Sequence, residues 1–114
     1  MSSRILKYLG HLWLLKKASS KMRKKIMKGC NRSLLCCLCE CAQNVLKGNV
    51  PLSKPQKSKL SRFRDKLRRL ASKKTRVVVK KKIVQTGGFL AALIPPVLSF
   101  LGMLLNPNRP NGVY

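Results

Sequence analysis

Two acidic residues, Glu40 and Asp65, face 26 lysines and arginines in this chain of 114 residues, leaving a formal net charge of +24. An unpaired charge taken out of water is costly, so nearly all of these cations must stay at the surface. The interior has to come from the apolar stripes left between them. A body with this charge also repels itself, and a chain this short buries only a modest fraction of its surface. A polyanion, a membrane or further copies of the chain are the expected sources of added stability.

The same scarcity speaks against catalysis. General acid–base chemistry needs positioned carboxylates or histidines with tuned pKa values. The stock here is Glu40, Asp65 and His11, on three different segments, and no pair or triad can be drawn from them. No enzyme, cofactor or small-molecule substrate is expected.

The periodicity predicts a mainly α chain. Near the N-terminus, Ile5, Leu6, Leu9, Leu12 and Trp13 recur at helical spacing after a serine cap, although Leu14 breaks the pattern. The basic start and apolar centre of this stretch suggest a signal peptide. Gly10 and His11 interrupt it and no small-residue cleavage site follows, so secretion is not expected. Ser19 or Ser20 caps a second helix, with Met22 and Ile26 inward and five cations outward. Asn31 caps a third, Arg32 to Lys47, whose Leu34, Leu35, Cys37, Leu38, Cys41, Ala42, Val45 and Leu46 form a broad apolar face; Gly48 is a natural stop. Ser53 and Gln56 form a capping box with Pro55 in the first turn, opening a fourth helix whose apolar stripe is Leu60, Phe63, Leu67 and Leu70. Thr75 to Thr86 turns β-branched and reads as a strand or an extended basic arm ending at Gly87-Gly88.

These readings divide the chain into four regions: a helical region at 1–52 with a Cys-rich helix, a Lys/Arg-rich helix and arm at 53–86, an apolar segment at 87–105 and a disordered tail at 106–114. The expected fold is a small bundle of three to four short amphipathic helices, followed by an extended arm and an apolar helical segment broken at Pro95-Pro96.

Three constellations bear on function. From Lys54 to Lys82, fourteen cations stand against one acid. With the leucine stripe packed inward, they project on one broad face suited to phosphates. The expected DNA contacts are Lys57, Lys59, Arg62, Arg64, Lys66, Arg68, Arg69, Lys73, Lys74 and Arg76, with Lys80, Lys81 and Lys82 holding phosphate or lipid head groups. No groove-reading module is recognisable, so binding without sequence specificity is the better reading. A solvated charged face or a nuclear localisation signal is the plainer alternative.

Cys30, Cys36, Cys37, Cys39 and Cys41 form the second constellation. A single helix can offer two ligands at i, i+4, here Cys37 and Cys41, and no second pair exists elsewhere for a tetrahedral zinc site, so no metal is expected. Buried thiols acting as small hydrophobes are the main reading, and an intermolecular disulfide through Cys36 or Cys30 is the rival.

The third is the apolar segment. Counting Gly87 and Gly88, 19 residues run without charge, close to the ~20 that span a bilayer. Pro95 and Pro96 divide it into halves too short to span alone. A membrane-active role is assigned to Phe89, Leu90, Leu93, Ile94, Pro95, Pro96, Val97, Leu98, Phe100, Leu101, Leu104 and Leu105. A core helix is the plainer alternative.

The Lys/Arg-rich arm, Gly87-Gly88-Phe89-Leu90 and Leu93-Ile94-Pro95 together resemble the adenovirus core protein X (mu) precursor family over Lys73 to Leu105. Asn44-Val45-Leu46-Lys47-Gly48-Asn49-Val50 extends the likeness, from Lys21 to Leu105, to the X-type core proteins of Maverick- and adintovirus-type elements integrated in animal genomes. The resemblance implies a virion core protein that condenses DNA, located in the virion or host nucleus. It implies an apolar segment acting on membrane or capsid components; the residues of that segment by themselves also suit a hinged, self-associating peptide. It also implies a processing site at Gly87-Gly88, where Gln85 departs from the Met, Ile or Leu of the family's pattern. The contrasting reading of the residues is a small cationic membrane protein, viroporin-like or lytic, attracted to anionic membrane and anchored through residues 87–105.

Overall fold

In the computed structural model, which describes residues 3–105, the chain is mainly α-helical, with eight helices and no strand among the described residues. They are α1 (Ser3–Lys7), α2 (Leu9–Lys17), α3 (Ser20–Lys28), α4 (Arg32–Leu46), α5 (Lys54–Ser61), α6 (Arg64–Ala71), α7 (Val77–Val84) and α8 (Phe89–Leu105). The tail expected to be disordered, 106–114, lies outside the described residues.

Local signals set several helix ends. Ser19 Oγ accepts from the Met22 amide, and Asn31 Oδ1 accepts from the Leu34 amide at 2.8 Å. The Ser53–Gln56 capping box is complete, each side chain meeting the other's backbone amide. At the end of α4 the Asn49 amide donates to the Asn44 carbonyl and the Gly48 amide to that of Val45, while Gly48 takes φ +79°. This is a Schellman stop, which needs a left-handed residue where glycine sits. The Asn44–Val50 stretch is thus first of all a helix-ending device.

The helices α4 and α8 form the centre. On α4, Leu35, Cys37, Leu38, Cys41 and Ala42 are almost wholly buried, and it packs chiefly on α6, whose last turn is held by Gln43 Nε2 donating to the Ala71 carbonyl. On the other side α8 takes α2 and α5. Side chains from 3–52, 53–86 and 87–104 share one hydrophobic core. No polar or charged side chain is buried among the described residues, as the surplus of cations requires.

The structure corrects several expectations, among them the inward place of Leu46, which is 43% exposed at the end of α4. Residues 77–84 are helical rather than a strand or extended arm. Helix propensity disfavours valine by a few tenths of a kcal/mol per residue. Burial of Ile83 and Val84 contributes about 1.5–3 kcal/mol each and outweighs it, and no second strand is present among the described residues to pair with. The apolar segment is one helix running through Pro95 and Pro96. An interior proline costs about 3 kcal/mol. Phe89, Leu90, Leu93 and Ile94 before the prolines and Val97, Leu98 and Leu101 after them are all buried, and this packing outweighs the cost of continuing the helix through them.

The inward faces near the N-terminus also differ from expectation. Ile5, Tyr8, Leu12 and Leu15 face the core, whereas Leu6 and Trp13 are exposed. Apolar residues occur around most of this segment, and the turn at Tyr8 between α1 and α2 lets Tyr8 and Leu15 take the buried positions. On α3, Met27 is fully buried and Met22 half exposed, with Ile26 partly buried. Both methionines lie within a turn of Ile26, and the one facing the core was chosen by how α3 docks on α7.

Candidate nucleic-acid interface

Backbone geometry divides the basic region. The helix opened at Ser53 breaks at Arg62–Phe63 into α5 and α6, with Phe63 at φ −111°, ψ 21°. Leu60, Leu67 and Leu70 are buried, and Phe63 turns half-buried toward α8, completing the expected stripe.

A narrow buried stripe leaves both flanks of a helix free, and the cations occupy both. Lys57, Arg64 and Arg68 line a groove with Val45, Leu46 and Leu52. Across α6, Lys66 and Arg69 join Lys82 of α7 around a cleft of about 400 Å³ that also holds Asp65. Lys59 and Arg62 stand near Phe63, Gly88, Ala91 and Ala92. The single broad face read from the sequence is therefore replaced by several flanks, because α4, α7 and α8 dock between the cations. Lys73, Lys74 and Arg76 are exposed in the connection to α7.

Two expected contacts are differently engaged. Lys80 and Lys81 are half-buried. Lys80 stands near enough to Cys39, and Lys81 to Cys30, for their positive charges to favour the thiolates. Burial still dominates at both cysteines and pushes their thiols up from the ordinary value of 9.0. Cys37 and Cys41 share a thiol–thiol hydrogen bond on the buried face of α4; it pushes Cys41 up, reinforced by burial, and draws Cys37 down. All five cysteines are free, and Cys36 is the least buried of them. No group of three His, Cys, Asp or Glu able to hold a metal occurs among the described residues.

A further basic group joins this surface from α3. Lys21, Arg23 and Lys24 line a pocket of about 210 Å³ with Ser20 and the α7–α8 turn from Gln85 to Gly88. Arg23 is anchored there, donating to the Leu15 carbonyl at 3.4 Å and Ser20 Oγ at 3.3 Å. The run SKMRKKIMK already signals a cationic helix; its position beside α7 is tertiary information.

The segment assigned to membranes lies mostly inside the fold. Phe89, Leu90, Leu93, Ile94, Pro96, Val97, Leu98 and Leu101 are buried, Pro95 and Phe100 partly buried and Leu104 exposed; the Leu105 side chain lies outside the described set. No single helix among the described residues is long and apolar enough to cross a membrane. Val77–Val84 and Phe89–Leu104 reach that length and composition only as a pair bent by 86°. At the suggested processing site Gly87 is exposed and Gly88 takes φ +81°, but Phe89, on the far side of the bond, is fully buried.

No family model, curated protein or solved structure matches this chain.

Proposed function

We propose that the chain is a virion core-type basic protein that binds the phosphate backbone of DNA without sequence specificity and condenses it, acting in a virion or host nucleus. The observation that carries this reading is the surface of α5, α6 and the following connection. All ten cations assigned there are exposed, Lys82 of α7 adds an eleventh, and Asp65 is the one acid in that stretch. Each phosphate neutralised releases condensed counterions, so such a surface binds tightly at low salt and steeply less as salt rises. Cations on several flanks favour contact with more than one stretch of backbone, which condensation requires. No catalytic step belongs to the proposal. The resemblance to adenovirus-type core protein X supports the same reading, with the apolar segment then serving as the core helix of the folded chain.

The bent α7–α8 pair favours a second reading, a cationic membrane protein anchored through residues 87–105. It would require α8 to leave the core that Phe89, Leu93, Ile94 and Val97 now fill. Fractionation of cells making the tagged full chain separates the two. Release by nuclease or high salt, with no carbonate-resistant pellet, is expected for the core protein. A carbonate-resistant membrane pellet untouched by nuclease would overturn it.

A further inference from the structure

Inside α1 and α2, Ile5, Leu12 and Leu15 have no exposed surface, so the core on this side is already filled. On the outside, Leu6 is 43% exposed, Trp13 43% and Leu14 55%. Within α2, Gly10, Trp13 and Leu14 are spaced by three or four residues or adjoin, so they share its outward side, and nothing lies within 4 Å of where a Gly10 side chain would begin. Leu6 is exposed on α1 just before the turn at Tyr8. Lysines border the apolar residues. Lys7, Lys16 and Lys17 are exposed, neither helix contains an acid, and Lys16 Nζ lies 4.8 Å from the centre of the Trp13 ring.

We propose that this face of α1 and α2 docks on an anionic lipid bilayer. Tryptophan and leucine beside lysine suit the interfacial zone, where apolar bodies enter the acyl boundary and ammonium groups stay among the head groups. A second copy of the chain is a poorer occupant, since it carries the same +24 and brings like charges together. Duplex DNA would meet the lysines but offers no comparable apolar surface to Leu6 and Leu14. An anionic bilayer matches both the charge and the apolar area. The surface uses neither α8 nor the cations of α5 and α6, so it stands independently of the DNA reading.

Trp13 is the single tryptophan in the chain, so its emission reports on this face alone. The full chain would be titrated with vesicles of phosphatidylcholine, with or without phosphatidylglycerol, and followed by fluorescence and cosedimentation. A blue shift on the anionic vesicles is expected. The Leu6→Ser/Leu14→Ser double variant should partition at least about tenfold more weakly. Both positions are exposed, so its helicity and DNA affinity should match the parent's. Unshifted emission on anionic vesicles would overturn the proposal. So would undiminished partitioning of the double variant, which would assign attachment to charge alone or to α8. A blue shift that grows with protein concentration in the absence of lipid would assign the face to a second copy instead.

Discussion

The Phe63 ring stands edge-on to Phe89, with centroids 5.7 Å apart and planes at 82°. The contact joins the break in the basic helix to the first residue of the core helix. It also lies over Gly88, where an added Cβ would meet the Phe63 ring at 3.6 Å. Phe63→Leu retains most of the apolar volume but loses the aromatic pair, and should cost about 0.5–1.5 kcal/mol. Phe63→Ala should cost about 3 kcal/mol by urea denaturation. A Phe63→Leu variant as stable as the parent would show that the aromatic pair adds nothing beyond apolar volume, and a Phe63→Ala variant as stable as the parent would show that the contact does not hold α5–α6 to α8.

Two glycines should respond to alanine with opposite signs. Gly48 has φ +79° and open space around it, so Gly48→Ala meets no clash but forces a side chain into the left-handed region, at a cost of about 1 kcal/mol. Gly10 is inside α2, without that backbone requirement and equally uncrowded. Gly10→Ala should stabilise by about 0.5–1 kcal/mol through helix propensity. Thermal melts of the two variants beside the parent check both signs.

The cysteines should make stability fall in alkali. Burial raises the pKa of Cys30 and Cys39, and Cys41 is raised by its hydrogen bond to Cys37 and then by burial. These thiols stay protonated in the folded chain after their unfolded counterparts ionise near 9.0, so the folded state binds more protons there. Their contribution is complete below that pH and is lost as pH rises beyond it. Cys37, shifted down, works in the opposite direction. In reducing buffer, the urea midpoint of the parent should drop more between about pH 8 and about pH 10 than that of Cys39→Ala.

DNA binding should distinguish exposed from engaged lysines. Replacing Lys66, Arg69 and Lys82 together by glutamine should flatten the log–log salt dependence by about 0.9 for each phosphate left without its cation, uniformly across DNA sequences. Lys80→Gln/Lys81→Gln should flatten it less per residue, because those side chains are half-buried on α7. Binding titrations of the full chain at several salt concentrations check this. An effect confined to one DNA sequence would contradict the backbone reading.

Much of the basic surface was legible in the sequence because most of its cations had no alternative to solvent. What could not be read was their grouping. Lys66 and Arg69 meet Lys82 through the docking of α7 on α6, and Lys21 and Lys24 reach the α7–α8 turn through α3. Neither arrangement has a signature within one helix. The expected roles of Leu6 and Trp13 were reversed for a related reason: where apolar residues nearly encircle a short segment, spacing leaves the buried side open.

Several helix ends and the predominantly cationic surface follow from local sequence alone. Asn31, Ser53–Gln56 and Gly48 act within a single turn, through hydrogen bonds and backbone conformations that need no distant partner. By contrast, the helicity of Val77–Val84, the continuation of α8 through Pro95–Pro96 and the inward facing of Tyr8, Leu15 and Met27 come from how the helices pack together. Local preferences there range from a few tenths to about 3 kcal/mol per residue. Burying several large side chains together outweighs them, and that gain exists only once the helices have met.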